Sequence, residues 1–136
     1  MVTHMQSSFN EPQKRRILFI ITQSELGGAQ QFLIQLLSRL NKDRYACKVI
    51  TGSDGGGGLA TALTPEISLS TAAHLKREAG LINDLRAVGE LYSAILREKP
   101  DIVFLMSSKA GFGGSLAAQL AKPSIPGLSI VYRIGG

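Results

Sequence analysis

One stretch of the sequence, RILFIITQSELGGAQQFLIQLLSRL at residues 16–40, most restricts the folds open to this chain. Residues 17–21 form a continuous apolar run, which is typical of a strand buried on both faces of a parallel sheet. After a short polar turn, apolar residues recur at helical spacing from Phe32 to Leu40. The stretch therefore predicts a buried strand, a tight loop and an amphipathic helix, which is the repeating unit of an α/β fold.

A glycine pair, Gly27 and Gly28, stands between this strand and this helix. Glycine lets backbone N–H groups at a helix N-terminus come close to a ligand, and that end of a helix carries partial positive charge. Phosphate or diphosphate is the ligand that such an arrangement favours. The pair could equally do no more than make a tight turn, because it matches neither G-x-G-x-x-G nor the G-K-[ST] of a P-loop.

The rest of the chain alternates between strands and helices in the same way. In chain order, the sequence predicts a second strand at 45–51, a flexible glycine-rich loop at 52–58, a short helix at 59–63, a weak third strand at 67–71, a long helix at 84–99, a buried strand at 102–106, a small-residue loop, a helix at 115–121 and a last strand at 128–134. This order predicts a Rossmann-like open, mainly parallel sheet with helices on both faces.

Length and charge limit the functional classes. The chain has 136 residues, of which 1–13 are expected to form a flexible lead-in and 14–136 one domain. Its net charge of +5 favours an anionic partner, such as a nucleotide or an anionic membrane surface. Nucleic acid gains little support, because the chain has no Trp and no ladder of alternating basic and aromatic residues.

Two further groups of residues could carry chemistry. Cys47 is the single cysteine, which indicates a reducing compartment and most simply makes it a small core residue. His74, Lys76 and Arg77 precede the long helix and could meet an anion, although such residues more often form a solvated surface.

Three segments together resemble the N-terminal domain of GT-B glycosyltransferases of the family-4 type. They are ILFIITQSELGGAQQFLIQLLSRL, the LKRE…LINDLRAVGELYSAILREKPDIV segment and SSKAGFGGSLAAQLA, and the likeness extends over about residues 16–136. The resemblance implies transfer of a sugar from a nucleotide-sugar donor, a UDP- or GDP-sugar, to an acceptor with retained anomeric configuration. In that family this domain mainly holds the acceptor, while its first glycine loop reaches the donor diphosphate.

Site residues follow from the resemblance position by position. Gly27 and Gly28 would admit the donor diphosphate, whereas Ser107, Ser108 and Lys109 would face the interdomain cleft on the acceptor side; otherwise they form a serine-rich turn with a solvated lysine. Neither a metal nor a tightly bound cofactor is expected, since Asp54 alone does not make the D-x-D of metal-dependent sugar transferases. The expected acceptor is a lipid-linked or cell-surface polysaccharide precursor, and the expected location is cytoplasmic, with peripheral contact at the inner face of the membrane.

The sequence also departs from the family pattern. Phe104 and Met106 stand where the family often has histidines, and Gly135 and Gly136 stand where it has His-Gly, so no catalytic residue is assigned. The second, donor-binding domain is missing from this length, which predicts half an enzyme that is inactive alone. The alternatives are a non-catalytic nucleotide- or anion-binding module and, less favoured, an NAD-binding domain. NAD is disfavoured by the glycine spacing and because VITGSDG puts no acidic residue clearly at the tip of the second strand.

Overall fold

The computed structural model describes residues 14–23, 28–54, 63, 67–75, 80–106 and 108–133. In these ranges strands and helices alternate along the chain: β1 Arg15–Gln23, α1 Gly28–Arg39, β2 Tyr45–Asp54, β3 Ser68–Ala72, α2 Leu81–Glu98, β4 Ile102–Leu105, α3 Ser108–Ala121 and β5 Ser129–Tyr132. The predicted lead-in at 1–13 and nearly all of the predicted short helix at 59–63 lie outside the described residues.

The strands form one parallel five-stranded sheet in the order β3-β2-β1-β4-β5. β1 lies at the centre, where Phe19 stands beside Val49 of β2 and Phe104 of β4. The chain adds strands first on one side of β1 and then on the other, so the direction of winding reverses between β1 and β4. This arrangement confirms the predicted Rossmann-like open sheet.

Helices cover both faces of the sheet. On one face, Leu33 and Leu37 of α1 pack in a cluster with Phe19 and Ile21 of β1. On the other face, α2 and α3 pack in a second cluster with Leu18, Ile20 and other strand residues. Residues 17–21 are each at most 7% exposed, which confirms the prediction that the first apolar run is buried on both sides.

The start of α3 differs from the prediction. The SSKAGFGG segment was expected to be a loop before a helix at 115–121, but α3 already begins at Ser108. Gly113 and Gly114 lie inside this helix and are buried, and a Cβ atom on Gly114 would overlap the side chain of Leu105. Glycine costs about 1 kcal/mol relative to alanine within a helix, and here it allows α3 to lie close against β4. The segment after β4 therefore differs from the loop with a glycine pair that the sequence predicts after the first strand.

The second strand is longer than predicted. Gly52 was assigned to a flexible loop at 52–58, yet β2 continues through Asp54 and Gly52 is buried within it. A Cβ atom on Gly52 would overlap the backbone carbonyl oxygens of Thr22 and Leu75. The first glycine of GSDGGGG is thus part of the sheet because two neighbouring backbone segments approach it closely.

An ion pair ties the end of α2 to β2 at the amino edge of the sheet, where the strands begin. The ammonium group of Lys48 donates a hydrogen bond to the Glu98 carboxylate. This contact lowers the pKa of Glu98, mainly through the Lys48 hydrogen bond. A carboxylate whose pKa is lowered by folding stabilises the protein above its ordinary pKa, and that contribution is lost as the pH falls through the lowered value.

We expect Glu98→Gln to lower the free energy of unfolding by about 0.5 kcal/mol at pH 7, as for a largely solvated pair. The difference should shrink below about pH 4, where the wild-type carboxylate also becomes protonated. Urea unfolding of both proteins at several pH values measures this, and Lys48→Gln should show the same trend. If the free energies of unfolding of Glu98→Gln and wild type differ by the same amount down to pH 2, the ionised Glu98 carboxylate is not the source of the stabilisation.

Candidate functional site

The candidate site is the crevice at the carboxyl edge of the sheet between β1 and β4. Ligands of open α/β sheets bind outside the carboxyl ends of the strands at the point where the winding reverses. Ile20 and Leu105 are paired across these two strands, and the backbone N–H of Met106 donates a hydrogen bond to the Ile20 carbonyl at 2.9 Å. α1 and α3 follow β1 and β4 in the chain, so both helices begin at this edge and lie on opposite faces.

Gly28 is the first residue of α1 and is exposed at this edge. Apart from its chain neighbours and the backbone of α1, no heavy atom of the described residues lies within 4 Å of the position that a Cβ atom would take. Gly127 is the one glycine with positive φ among the described residues, so Gly28 does not depend on the left-handed conformation. The described fold thus does not require glycine at this position. Its diphosphate role stays a prediction, and Gly27 lies outside the described residues.

The predicted acceptor-side residues lie around the start of α3. Ser108 is the first residue of the helix and Lys109 the second, whereas Ser107 lies outside the described residues. Ser108 and Lys109 therefore belong to the first turn of a helix rather than to the small-residue loop that the sequence predicted after β4. They follow β4 at the same edge as Gly28, and their place in an interdomain cleft stays a prediction.

Three polar side chains are buried near this edge: Thr22, Gln30 and Thr51. Thr51 is 3% exposed, and its Oγ1 atom has no hydrogen-bond partner among the described residues. It stands beside Ile21 of β1 and Thr71 of β3. A buried hydroxyl without a partner keeps the cost of losing its water, which is about 1 kcal/mol or more.

We therefore expect Thr51→Val to raise the free energy of unfolding by about 1 kcal/mol, because the change removes the unpaired hydroxyl and keeps the β-branched shape. Thr71→Val is the matched control, since Thr71 is the exposed neighbour of Thr51 in the sheet. Urea unfolding of the three proteins gives the comparison. A loss of stability in Thr51→Val would show that the hydroxyl is hydrogen-bonded in solution.

Arg133 is a further cation at the crevice, and the sequence interpretation did not single it out. Its backbone N–H donates a hydrogen bond to the Leu105 carbonyl at 2.9 Å, which extends the pairing of β5 with β4 by one residue. Its guanidinium carbon lies 5.0 Å from the centre of the Phe32 ring on α1. The sequence signal was one cation within the last predicted strand at 128–134, and its meaning depends on the contact with a distant helix.

Of the three cations that precede the long helix in the sequence, His74, Lys76 and Arg77, only His74 lies in the described residues. The carboxylate of Glu90 accepts hydrogen bonds from the backbone N–H groups of Ala73 and His74, and its Oε1 lies 3.0 Å from Nδ1 of His74. The histidine thus faces an acidic partner, while Lys76 and Arg77 lie outside the described residues.

Cys47 is half-buried at the edge of the cluster under α1, as expected of a small core residue. Burial raises the pKa of its thiol, which lowers the thiolate fraction that a nucleophile would need. Within the described ranges, no group of three or more His, Cys, Asp or Glu side chains could hold a metal ion. None of the helices in those ranges is long and apolar enough to cross a membrane.

One premise of the argument against NAD is wrong. The sequence interpretation placed no acidic residue clearly at the tip of the second strand, but β2 ends at Asp54. In dinucleotide-binding folds an acidic residue near this point hydrogen-bonds the ribose. The glycine spacing of the first loop, which does not match a dinucleotide-binding motif, is therefore the one remaining argument against an NAD-binding domain.

Comparison with known proteins supplies the remaining observations. No protein-family model matches the chain. The chain is 31% identical over 96 residues to a UDP-Gal:alpha-D-GlcNAc-diphosphoundecaprenol alpha-1,3-galactosyltransferase of Escherichia coli. The match includes 71% of this chain but only 24% of that protein, so the chain spans about a quarter of the length of its curated relative.

Two solved structures share the fold. A UDP-GlcNAc 2-epimerase from Neisseria meningitidis, bound to UDP-GlcNAc, superposes with a TM-score of 0.58 at 20% identity, over 85% of this chain and 31% of that one. A second UDP-N-acetylglucosamine 2-epimerase superposes with a TM-score of 0.62 at 18% identity, over 88% of this chain and 33% of that one. At these identities the structures support the fold alone. With the galactosyltransferase, they confirm the predicted resemblance to a GT-B glycosyltransferase-like domain.

Proposed function

We propose that this GT-B glycosyltransferase-like domain is the acceptor-side half of a retaining glycosyltransferase. The enzyme would transfer a sugar from a nucleotide-sugar donor to a lipid-linked or cell-surface polysaccharide acceptor. A second, donor-binding domain would supply most contacts to the nucleotide sugar, so the 136-residue chain alone would not catalyse transfer.

The likeness to the galactosyltransferase carries this proposal. By its name, that relative takes UDP-galactose as its donor and a GlcNAc joined to diphosphoundecaprenol as its acceptor. A relative with these substrates favours a UDP-sugar over a GDP-sugar as the donor, and it favours a lipid-linked acceptor.

The described geometry fits this role at one end of the crevice. α1 begins at Gly28, whose Cβ position is free of other described side chains and strands within 4 Å, and the N-terminus of a helix attracts anionic groups. A donor diphosphate at this point would lie at the switch point between β1 and β4. The serine and lysine at the start of α3 would then meet the acceptor on the other side.

Transfer of radiolabelled galactose from UDP-galactose to a GlcNAc-diphospho-lipid tests the proposal. The measurement compares the chain alone with the same chain followed by a donor-binding domain. We expect transfer only by the longer protein, because catalysis needs donor contacts on both sides of the cleft. Turnover by the chain alone well above background would contradict the half-enzyme proposal, and a longer, folded protein without transfer would contradict the enzyme proposal.

The position of Asp54 at the tip of β2 favours a second candidate, a dinucleotide-binding domain. Titration of the purified chain with UDP, NAD and phosphate separates the two. Tighter binding of UDP than of NAD and phosphate supports the glycosyltransferase, and tighter binding of NAD supports the second candidate. Equal binding of UDP and phosphate would leave an anion-binding module.

A peripheral membrane position is also part of the proposal, and the basic excess of the chain makes it testable. We expect the domain to co-sediment with anionic vesicles at low salt and to dissociate as salt screens the charges. Equal recovery with neutral and anionic lipid would count against a membrane role. The described side chains at the amino edge include many cations: Lys14, Arg15, Arg16, Lys42, Arg44, Lys99 and Lys122.

A double variant, Lys42→Gln with Arg44→Gln, identifies the surface that binds. If it abolishes binding to vesicles, the amino edge lies on the bilayer. The crevice would then lie about 30 Å away, the length of a nine-residue strand such as β1. That result would favour a long polysaccharide acceptor over a short lipid-linked one, whereas unchanged binding would assign the contact to another surface.

A further inference from the structure

The placement of Arg133 differs from that of the other described cations. Among the residues whose side chains the structure describes, it is the one Lys or Arg that follows directly on the carboxyl end of a strand. The ion pairs Lys48–Glu98, His74–Glu90 and Arg97–Glu98 lie at other places in the described region. Arg133 therefore carries its charge at the crevice without a carboxylate partner in the described region.

The Phe32 ring gives this guanidinium a defined position. With the guanidinium carbon 5.0 Å from the ring centre, the two groups are within the range of a cation–π contact. Phe32 itself remains 41% exposed, so the ring is not needed mainly to fill the core. A guanidinium held against an aromatic face keeps its N–H donors free at its edge, and two of them match two oxygens of a phosphate.

The helix that carries Phe32, α1, also places the Phe32–Arg133 pair near Gly28 at its N-terminus. Gly28 and Phe32 are four residues apart on α1, so they lie on the same side of the helix about one turn, 5.4 Å, apart. The side that is free of neighbouring atoms at Gly28 thus continues to the ring that contacts Arg133. A group with two linked phosphates is long enough to bridge positions one turn apart.

We propose that Arg133 binds a diphosphate group in the crevice and that Phe32 positions its guanidinium there. The inference rests on the proposed function, and it adds a residue to which neither the family pattern nor the comparisons give a role. The diphosphate could belong to the nucleotide donor or to an isoprenoid-linked acceptor, because both present the same anionic group.

The test measures binding of inorganic diphosphate to the folded chain by titration at low salt, in wild type, Arg133→Gln and Arg133→Lys. We expect Arg133→Gln to weaken binding about tenfold or more and Arg133→Lys to weaken it less, since lysine keeps the charge but loses the paired donors. Arg86→Gln is the matched control, because Arg86 is an exposed arginine of α2 and the change alters the net charge equally. Thermal unfolding should show equal stability of the variants.

Phe32→Leu tests whether the ring positions the Arg133 guanidinium, because the change removes the ring and keeps the charge of Arg133. We expect it to weaken diphosphate binding by a smaller factor than Arg133→Gln, and the double variant should be no weaker than Arg133→Gln alone. Equal losses in Arg133→Gln and Arg86→Gln would overturn the inference, as would a wild-type chain that binds no diphosphate. Parallel titrations assign the source: a loss for UDP but not for farnesyl diphosphate indicates the donor, and the reverse indicates the acceptor.

The outcome is separable from that of the proposed function. If Arg133→Gln leaves diphosphate binding unchanged while the longer protein transfers sugar, this inference fails and the proposed function stands. If Arg133 binds diphosphate but the longer protein transfers no sugar, the anion site stands and the proposed function fails.

Discussion

Gly28→Val should reduce the rate of sugar transfer roughly 30-fold to 1000-fold in a protein that also contains the donor-binding domain. In the proposed enzyme, a side chain at this position would occupy the space of the donor diphosphate. Losing oriented N–H contacts to a developing charge costs about 2 to 4 kcal/mol in the transition state, which corresponds to this range of rates.

The structure separates this effect from a loss of stability. No neighbouring heavy atom lies within 4 Å of the Cβ position at Gly28, and valine has no lower helix propensity than glycine. The free energy of unfolding should therefore change by less than about 0.5 kcal/mol. Gly89→Val is a matched control, because Gly89 is also an exposed helical glycine with no atom within 4 Å of its Cβ position.

Steady-state kinetics and thermal unfolding of both variants distinguish a loss of donor contacts from a loss of stability. The expected pattern is slow transfer with normal stability for Gly28→Val, and normal values of both for Gly89→Val. A lower thermal midpoint with near-normal transfer by the folded fraction would remove Gly28 from the donor site.

The sequence predicted the sheet well where one physical signal dominated. The uniformly apolar run at 17–21 predicted a strand buried on both faces, and its five residues are all buried between two helical layers. The long helix was also predicted from its spacing, although α2 begins at Leu81 rather than at residue 84. Burial on both faces and helical periodicity are properties of a short segment, so they can be read without the rest of the fold.

Errors arose where distant contacts override local preference. Ser108, Gly113 and Gly114 look like loop residues by propensity, yet they are helical because α3 must approach β4 and α2 closely. For the candidate site, the sequence singled out Gly28, whose diphosphate role stays a prediction, but a role for Arg133 could be inferred only from its contact with Phe32. Local sequence patterns therefore predicted the strand and the helix on either side of the first loop, whereas the role of the Arg133 charge could be inferred only from the tertiary structure.

The other large expected effect concerns Gly52, the glycine of GSDGGGG that lies within β2. Gly52→Ala should lower the free energy of unfolding by about 3 kcal/mol or more, or prevent folding. The added Cβ would overlap the carbonyl oxygens of Thr22 and Leu75, which are backbone atoms and cannot turn away as a side chain could. Overpacking of this kind commonly costs about 1 to 3 kcal/mol, and rigid neighbours place this case at the upper end.

Urea unfolding of Gly52→Ala and of Gly28→Ala makes the comparison, because Gly28 has no atom within 4 Å of its Cβ position. A difference of about 3 kcal/mol corresponds to roughly 10 °C in thermal midpoint for a domain of this size. If the two variants differ by less than about 1 kcal/mol, the close approach of these backbones does not hold in solution. If the large loss is found, the carboxyl ends of β1 and β2 and the turn after β3 form one tight layer. The stability of this part of the carboxyl edge of the sheet would then depend on the glycine at position 52.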